Sequence, residues 1–326
     1  MAHVKLRHIV RAMPHGAGLR KRRGRLLKPV KPSHKVELWY KQQLLAVVAQ
    51  LRKIAREELL PELRMLEPLY SSASDGMARD RMGFAGPQIE ARIGALKRRF
   101  GGIAGVAQRL AEAATRRSLE EADGRLKASV QASAGIDISG FLSRQGPIQS
   151  VVEAATKANV ALIKSIPEQH FDKLQDALLK NMERGMRFED LAKEIERIGD
   201  VTESRAKLIA RDQTSKLNGA MTQIRQMSLG IDRYVWQTSG DERVRDAHAD
   251  LDGLEFRWSD PPSEGHPGEA VNCRCVAIPV FDLDEPDDSG GVEAGAISAP
   301  SNALSVGAAA VTIAAMFGEM TAKVYR

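Results

Sequence analysis

Two cysteines and two histidines in the last third of the chain are the residues best suited to chemistry. Cys273 and Cys275, separated only by Arg274, and His248 and His266 upstream supply two thiolates and two imidazoles, a donor set that tetrahedral zinc favours. The spacing is not that of a standard zinc finger. Seventeen residues lie between His248 and His266 and six between His266 and Cys273. A Cys-x-Cys pair can share a metal only where the chain bends. The other reading of these residues is structural, with buried thiols and a hydrogen-bonded His248 stabilising a strand junction. A disulfide within the pair is disfavoured, because residues two apart on a strand lie too far apart for its geometry. With no further cysteine there is no disulfide framework, and a reducing compartment suits the chain. His248 with Asp246, Asp250, Asp252 and Cys273 also holds the ingredients of a metal-dependent hydrolase or a nucleophilic thiol site. The chain lacks Gly-x4-Gly-Lys-Ser/Thr, His-Glu-x-x-His and Gly-x-Ser-x-Gly.

The elements that must position these residues are short. Tyr234 to Thr238 reads as a strand from its β-branched and aromatic content, Ser239-Gly240-Asp241 as a turn, and Asp241 as the cap of a short helix holding Arg243 to Asp250. Leu254 to Trp258 and Cys275 to Phe281 are further strands. Everything before them is helical in pattern. Leu44, Val48, Leu51, Ala55 and Leu59 form one stripe ending at Pro61, and Ile89, Ile93, Leu96, Phe100, Ile103, Val106 and Leu110 form a second, weakened by Gly94, Gly101, Gly102 and Gly105. A new unit starts near Pro147. Its first helix is expected over Ile148 to Lys164, the next begins with a capping box at Ser165-Ile166-Pro167-Glu168, a short one spans Phe188 to Gly199, and Thr202 caps a longer one to about Ser228.

Composition agrees with a helical chain: 326 residues, 43% hydrophobic, 28% charged and only 5% aromatic. The net charge of +6 hides an asymmetry. Residues 1–35 hold eleven Lys or Arg and no acid, so the rest of the chain is net acidic. Arg20, Lys21, Arg22, Arg23, Arg25 and Lys28, amid Pro and Gly, read as a disordered arm suited to a polyanion such as duplex DNA. Asp282 to Glu293 reads as an acidic linker. The stretch Ala303 to Phe317 is too short and weakly apolar to span a bilayer. No secretory signal follows the basic start, so a cytoplasmic site of synthesis is expected, without membrane or small-molecule partners. The fold class is thus mainly α with a small C-terminal α+β domain, between a disordered basic N-terminal arm and an acidic, Gly-Ser-Ala-rich C-terminal tail. The expected division is an arm over 1–35, a helical domain over 36–146, a domain of helices and a small α+β part over 147–281, and a tail over 282–326.

Several segments together resemble a known family. Ile209-Ala210-Arg211-Asp212-Gln213-Thr214, Asn218 and Tyr234-Val235-Trp236-Gln237-Thr238 come first. Asp241-Glu242-Arg243-Val244-Arg245-Asp246-Ala247-His248, Leu251-Asp252-Gly253 and the closing Asn272-Cys273-Arg274-Cys275 follow in order. This succession is similar to the Mu F-like phage head-morphogenesis, or minor capsid, proteins. Here Gly268-Glu269-Ala270-Val271 separates His266-Pro267 from the Asn-Cys-Arg-Cys closure, where the family pattern often has His-Pro directly before it. The resemblance implies a non-enzymatic assembly factor associated with the portal, supporting procapsid assembly and DNA packaging or delivery. Portal, capsid or scaffold proteins and packaged double-stranded DNA would be its partners. It would reside in the host cytoplasm during assembly and then in the virion head. On that reading Arg211, Asn218, Trp236, Asp241, Arg243, Arg245, His248, Asp252, Gly253, Asn272, Cys273, Arg274 and Cys275 are structural, with Arg243 and Arg245 expected to pair with nearby carboxylates. A nucleic-acid-binding module and a metal-dependent, nuclease-like hydrolase are the alternatives.

Overall fold

A computed structural model describes residues 25–26, 28–70, 78–143, 146–281 and 309–311. Helices dominate it, and a small antiparallel sheet stands near the C-terminal end. The basic run Arg20 to Arg23 and the acidic linker Asp282 to Glu293 lie outside the described residues. The chain divides into two compact units that interleave in sequence. One comprises residues 1–36, 113–158 and 212–326, the other residues 37–112 and 159–211. This differs from the contiguous division expected from sequence, because the unit boundaries at 112/113, 158/159 and 211/212 fall inside long helices.

In the unit built from 37–112 and 159–211, helix α1 (His34–Ile54) opens into a π turn (Ala55–Leu59) and continues as α2 (Leu60–Tyr70). The expected stop at Pro61 is therefore corrected. Proline lacks the N–H donor and crowds the carbonyl four residues back, and the wide turn just before it relieves both. The Leu60 N–H reaches back to the Ala55 carbonyl, as the wide turn requires. Leu51, Ala55, Leu59 and Leu63 all remain buried across it. The second stripe breaks into α3 (Ala78–Gly101) and α4 (Ala104–Ala134) at the glycine pair, leaving Ile89, Ile93 and Leu96 buried but Val106 exposed.

A one-turn helix α5 (Ser139–Leu142) precedes α6 (Gly146–Glu183) and α7 (Phe188–Ser228), each of which replaces two expected helices. The expected caps act otherwise. Ser165 Oγ donates back to the Leu162 carbonyl at 2.8 Å and Pro167 is accommodated inside the helix. Thr202 Oγ1 likewise donates to the Ile198 carbonyl at 2.8 Å and meets His170 Nδ1 at 2.9 Å, so it is a buried mid-helix residue.

The other unit has two apolar clusters. The larger gathers Leu126, Val130, Ile148, Val151, Met221 and Ile224. It also takes in Val30, so the arm expected over 1–35 is not wholly an arm. The Val30 carbonyl accepts from Asn218 Nδ2 at 2.8 Å, the Lys28 carbonyl accepts from Ser129 Oγ, and α1 already begins at His34. Arg225 grips Asp123 through two hydrogen bonds of 2.8 and 2.7 Å, the planar fork matching the carboxylate. Of the tail, Ala310 is packed in this cluster.

The sheet contains β1 (Arg25–Leu26), β2 (Arg233–Gln237), β3 (Glu255–Arg257) and β4 (Val276–Phe281) in the order β1-β4-β2-β3. Tyr234 pairs with Phe256 and Pro279, and Trp236 with Ala277. The strand period of two turns Tyr234 and Trp236 to the inner face. There they build the second cluster with Trp258, Cys273, Cys275 and Ala277. No helix among the described residues is long and apolar enough to cross a membrane.

Candidate functional site

The α+β part packs on the C-terminal half of α7, and the loop preceding β4 carries the cysteines. Asp212 Oδ1 accepts the Asn272 N–H at 2.6 Å, and the Ser215 hydroxyl donates to the Cys273 carbonyl. One turn further, Gly219 lies so close to the Pro267 carbonyl that a Cβ there would sit 2.6 Å from its oxygen. Gly268 meets this face from the loop with φ of +94°, a conformation glycine adopts without a Cβ penalty. Asn272, at φ of 60°, bends the backbone immediately before Cys273. Gly219→Ala is therefore expected to push the 266–268 loop from the helix at a cost of about 1–3 kcal/mol. Chemical denaturation checks this, and a loss under 0.5 kcal/mol would show that the loop yields freely.

The bend brings three of the four expected donors together. His248, on the one-turn helix α8 (Asp246–Ala249), places Nδ1 3.6 Å from Cys273 Sγ and 3.5 Å from Cys275 Sγ. All three residues are buried, and their donor atoms lie within 4.8 Å of one another. The Cys275 thiol donates to the Cys273 sulfur, which lowers the Cys273 pKa to about 6 and raises that of Cys275. Burial opposes the first shift and reinforces the second. Trp236 closes the site, its ring edge-to-face with His248 at 5.3 Å.

His266 is not part of this group. Its Nδ1 meets the Tyr234 hydroxyl at 2.8 Å, its ring packs against both Tyr234 and Trp258, and a ring N–H donates to the Trp258 backbone. Burial lowers its pKa to about 4, which favours the neutral ring. The four residues between His266-Pro267 and Asn272 allow this departure, since they let the histidine turn toward the aromatic cluster.

The remaining sequence-predicted residues brace the module. Arg245 donates to the Val271 carbonyl at 2.7 Å rather than to a carboxylate, and the Arg243 backbone N–H meets Asp241 Oδ1 at 3.3 Å. It is Arg274 that grips the Asp241 carboxylate with both guanidinium nitrogens, one of them at 2.6 Å. The guanidinium holds the Asp241 carboxyl below its ordinary range. Asp241 caps no helix, because α8 is a single turn entered through Arg245. Asp252 Oδ1 accepts the Thr238 N–H at 2.7 Å, and Gly253, at φ of +78°, donates its N–H to the Trp236 carbonyl. Arg211 is half-buried near the middle of α7. Of the basic residues assigned to nucleic acid, Arg25 lies in β1 and Lys28 is exposed.

Four participants were not singled out from sequence. Glu264 Oε2 lies 3.6 Å from His248 Nε2. Asp212, Ser215 and Gly219 form the helix face under the cysteine loop. Their spacing of three and four was the available signal, since it puts all three on one side of α7.

The arrangement is a helical scaffold whose long helix carries a compact module of one short helix, three strands and a buried histidine-thiol group. Residues 172–278 match the family model described as Phage Mu protein F like protein. Through this segment the chain is similar to the Mu F-like family. An uncharacterized protein of Haemophilus influenzae is 39% identical over 267 residues, covering 81% of this chain and 58% of the relative. An uncharacterized protein of Methanocaldococcus jannaschii is 33% identical over 108 residues, covering 33% of this chain and 17% of that one. The chain thus spans less than two thirds of the length of these relatives. No solved structure matches it.

Proposed function

We propose that the protein is a phage head-morphogenesis protein, a minor, non-enzymatic component of the head that associates with the portal and supports procapsid assembly and DNA packaging or delivery. The match of residues 172–278 to the Mu F-like family carries this reading. The site geometry is compatible with it, since its braces serve to hold a short α+β module rigidly on a long helix. The test is a phage or prophage in which this reading frame is interrupted. Heads should then fail to mature or fill, and in the intact phage the protein should co-purify with heads and crosslink to the portal. DNA-filled, infectious particles formed without it would overturn the proposal.

Packaged double-stranded DNA is the proposed partner of the basic N-terminal run. Phosphate neutralisation by Lys and Arg releases counterions and needs no base reading, which suits contact with any genome. Because Arg25–Leu26 form a strand and Val30 is core, the variant should replace Arg20, Lys21, Arg22 and Arg23 with Gln and leave residues from 25 onward intact. Losing four phosphate contacts should make the slope of log affinity against log salt shallower by about 3–4 for duplex DNA. Equal affinity and equal slope would remove DNA as the partner. Normal DNA binding with failed incorporation into heads would instead make the run an assembly tether.

A further inference from the structure

His248 Nδ1 faces two sulfurs at once, at 3.6 and 3.5 Å. An imidazole nitrogen carries at most one proton, so a hydrogen bond serves one sulfur well, whereas a metal ion serves all three donors together. For tetrahedral zinc, with Zn–N of about 2.0 Å and Zn–S of about 2.3 Å, the N···S edge is about 3.5 Å. Both observed separations match it. The opposite ring nitrogen adds a second, independent observation. Nε2 is buried without a hydrogen-bond partner, and the nearest carboxylate oxygen, that of Glu264, is 3.6 Å away. A carboxylate on that side favours the tautomer that leaves Nδ1 free to bind a metal, as in carboxylate–histidine–zinc sites. The bend at Asn272 lets two cysteines only two residues apart converge, and the Cys275 N–H points at Cys273 Sγ at 3.4 Å, a contact that favours a thiolate.

We propose that His248 Nδ1, Cys273 Sγ and Cys275 Sγ bind one zinc ion, with water in the fourth position and the Glu264 carboxylate orienting the imidazole. On binding, the thiols release their protons to solvent and two S–Zn bonds form. The ion clips α8 to the entrance of β4, so its binding energy is also folding energy. The inference does not depend on the head-assembly reading.

The experiment uses the full chain, expressed with zinc, dialysed, and measured by elemental analysis and thermal melting with and without a chelator. About one zinc per chain and a lower Tm after chelation are expected. Cobalt(II) should give the near-ultraviolet charge-transfer absorption of two thiolates. Glu264→Gln should weaken zinc binding about 10–100-fold, and His266→Gln should retain it. Zinc-free protein whose Tm ignores both chelator and added zinc would overturn the proposal. So would a Cys273→Ser, Cys275→Ser double variant that keeps its metal, and loss of zinc from folded His266→Gln would overturn the three-ligand assignment. If the cysteine variants fail to fold, the cobalt spectrum of the unaltered chain decides, and absence of thiolate absorption counts against the site.

Discussion

Trp236→Ala is expected to destabilise the α+β module by about 3–5 kcal/mol, the usual cost of deleting a buried indole. Trp236 is wholly buried in β2. Its ring touches both His248 and Phe256 edge-to-face, at 5.3 and 6.3 Å. Removing it opens a cavity that β2 cannot collapse into, because its backbone is pinned between β3 and β4. Urea denaturation followed by circular dichroism measures the loss. A change below 1 kcal/mol would mean that the module is plastic and that Trp236 does not order the histidine-thiol group.

The second large effect comes from Asp212→Ala. The Lys216 ammonium lies 2.8 Å from the Asp212 carboxylate, with the two side chains 2% and 0% exposed. A buried ion pair adds little over an apolar pair, but breaking it by removing one partner costs about 3–5 kcal/mol, because the other charge stays in a poorly solvated place. Asp212 also receives the Asn272 N–H, so its loss releases the cysteine loop from α7. The double change Asp212→Leu with Lys216→Met should recover a good part of the loss, leaving the portion due to Asn272. Parallel melts of single and double variants test this. A double variant worse than the single would show that the carboxylate's hydrogen bonds outweigh the charge pairing.

This ion pair illustrates what was and was not legible in the sequence. An acid followed four residues later by a lysine reads as a solvated surface pair on a helix. Only the strands and loop folding back onto α7 turn it into a buried one. Periodicity identified the stripe from Leu44 to Leu59, because burial of one face is a local requirement, and β-branched and aromatic content identified the strand from Tyr234 to Thr238. It could not show that Pro61 and Pro167 would be absorbed inside helices or that Thr202 would bond backward, since those outcomes depend on neighbours distant in sequence. The cysteine pair and His248 were recognisable by residue type. The exclusion of His266 depended on the aromatic side chains of Tyr234 and Trp258, which no spacing rule contains.

The short strand β1 has a further consequence for how the chain is made. Arg25 pairs with Phe281 and Leu26 with Val280, so a segment synthesised well before the other strands completes the sheet. Such distant pairing forms late, because a long loop must close before it is rewarded. Until then the outer edge of β4 presents unpaired N–H and C=O groups that a strand from another chain can occupy. Closure of the sheet by residues 25–26 therefore competes with strand pairing between copies, and protein concentration sets the balance.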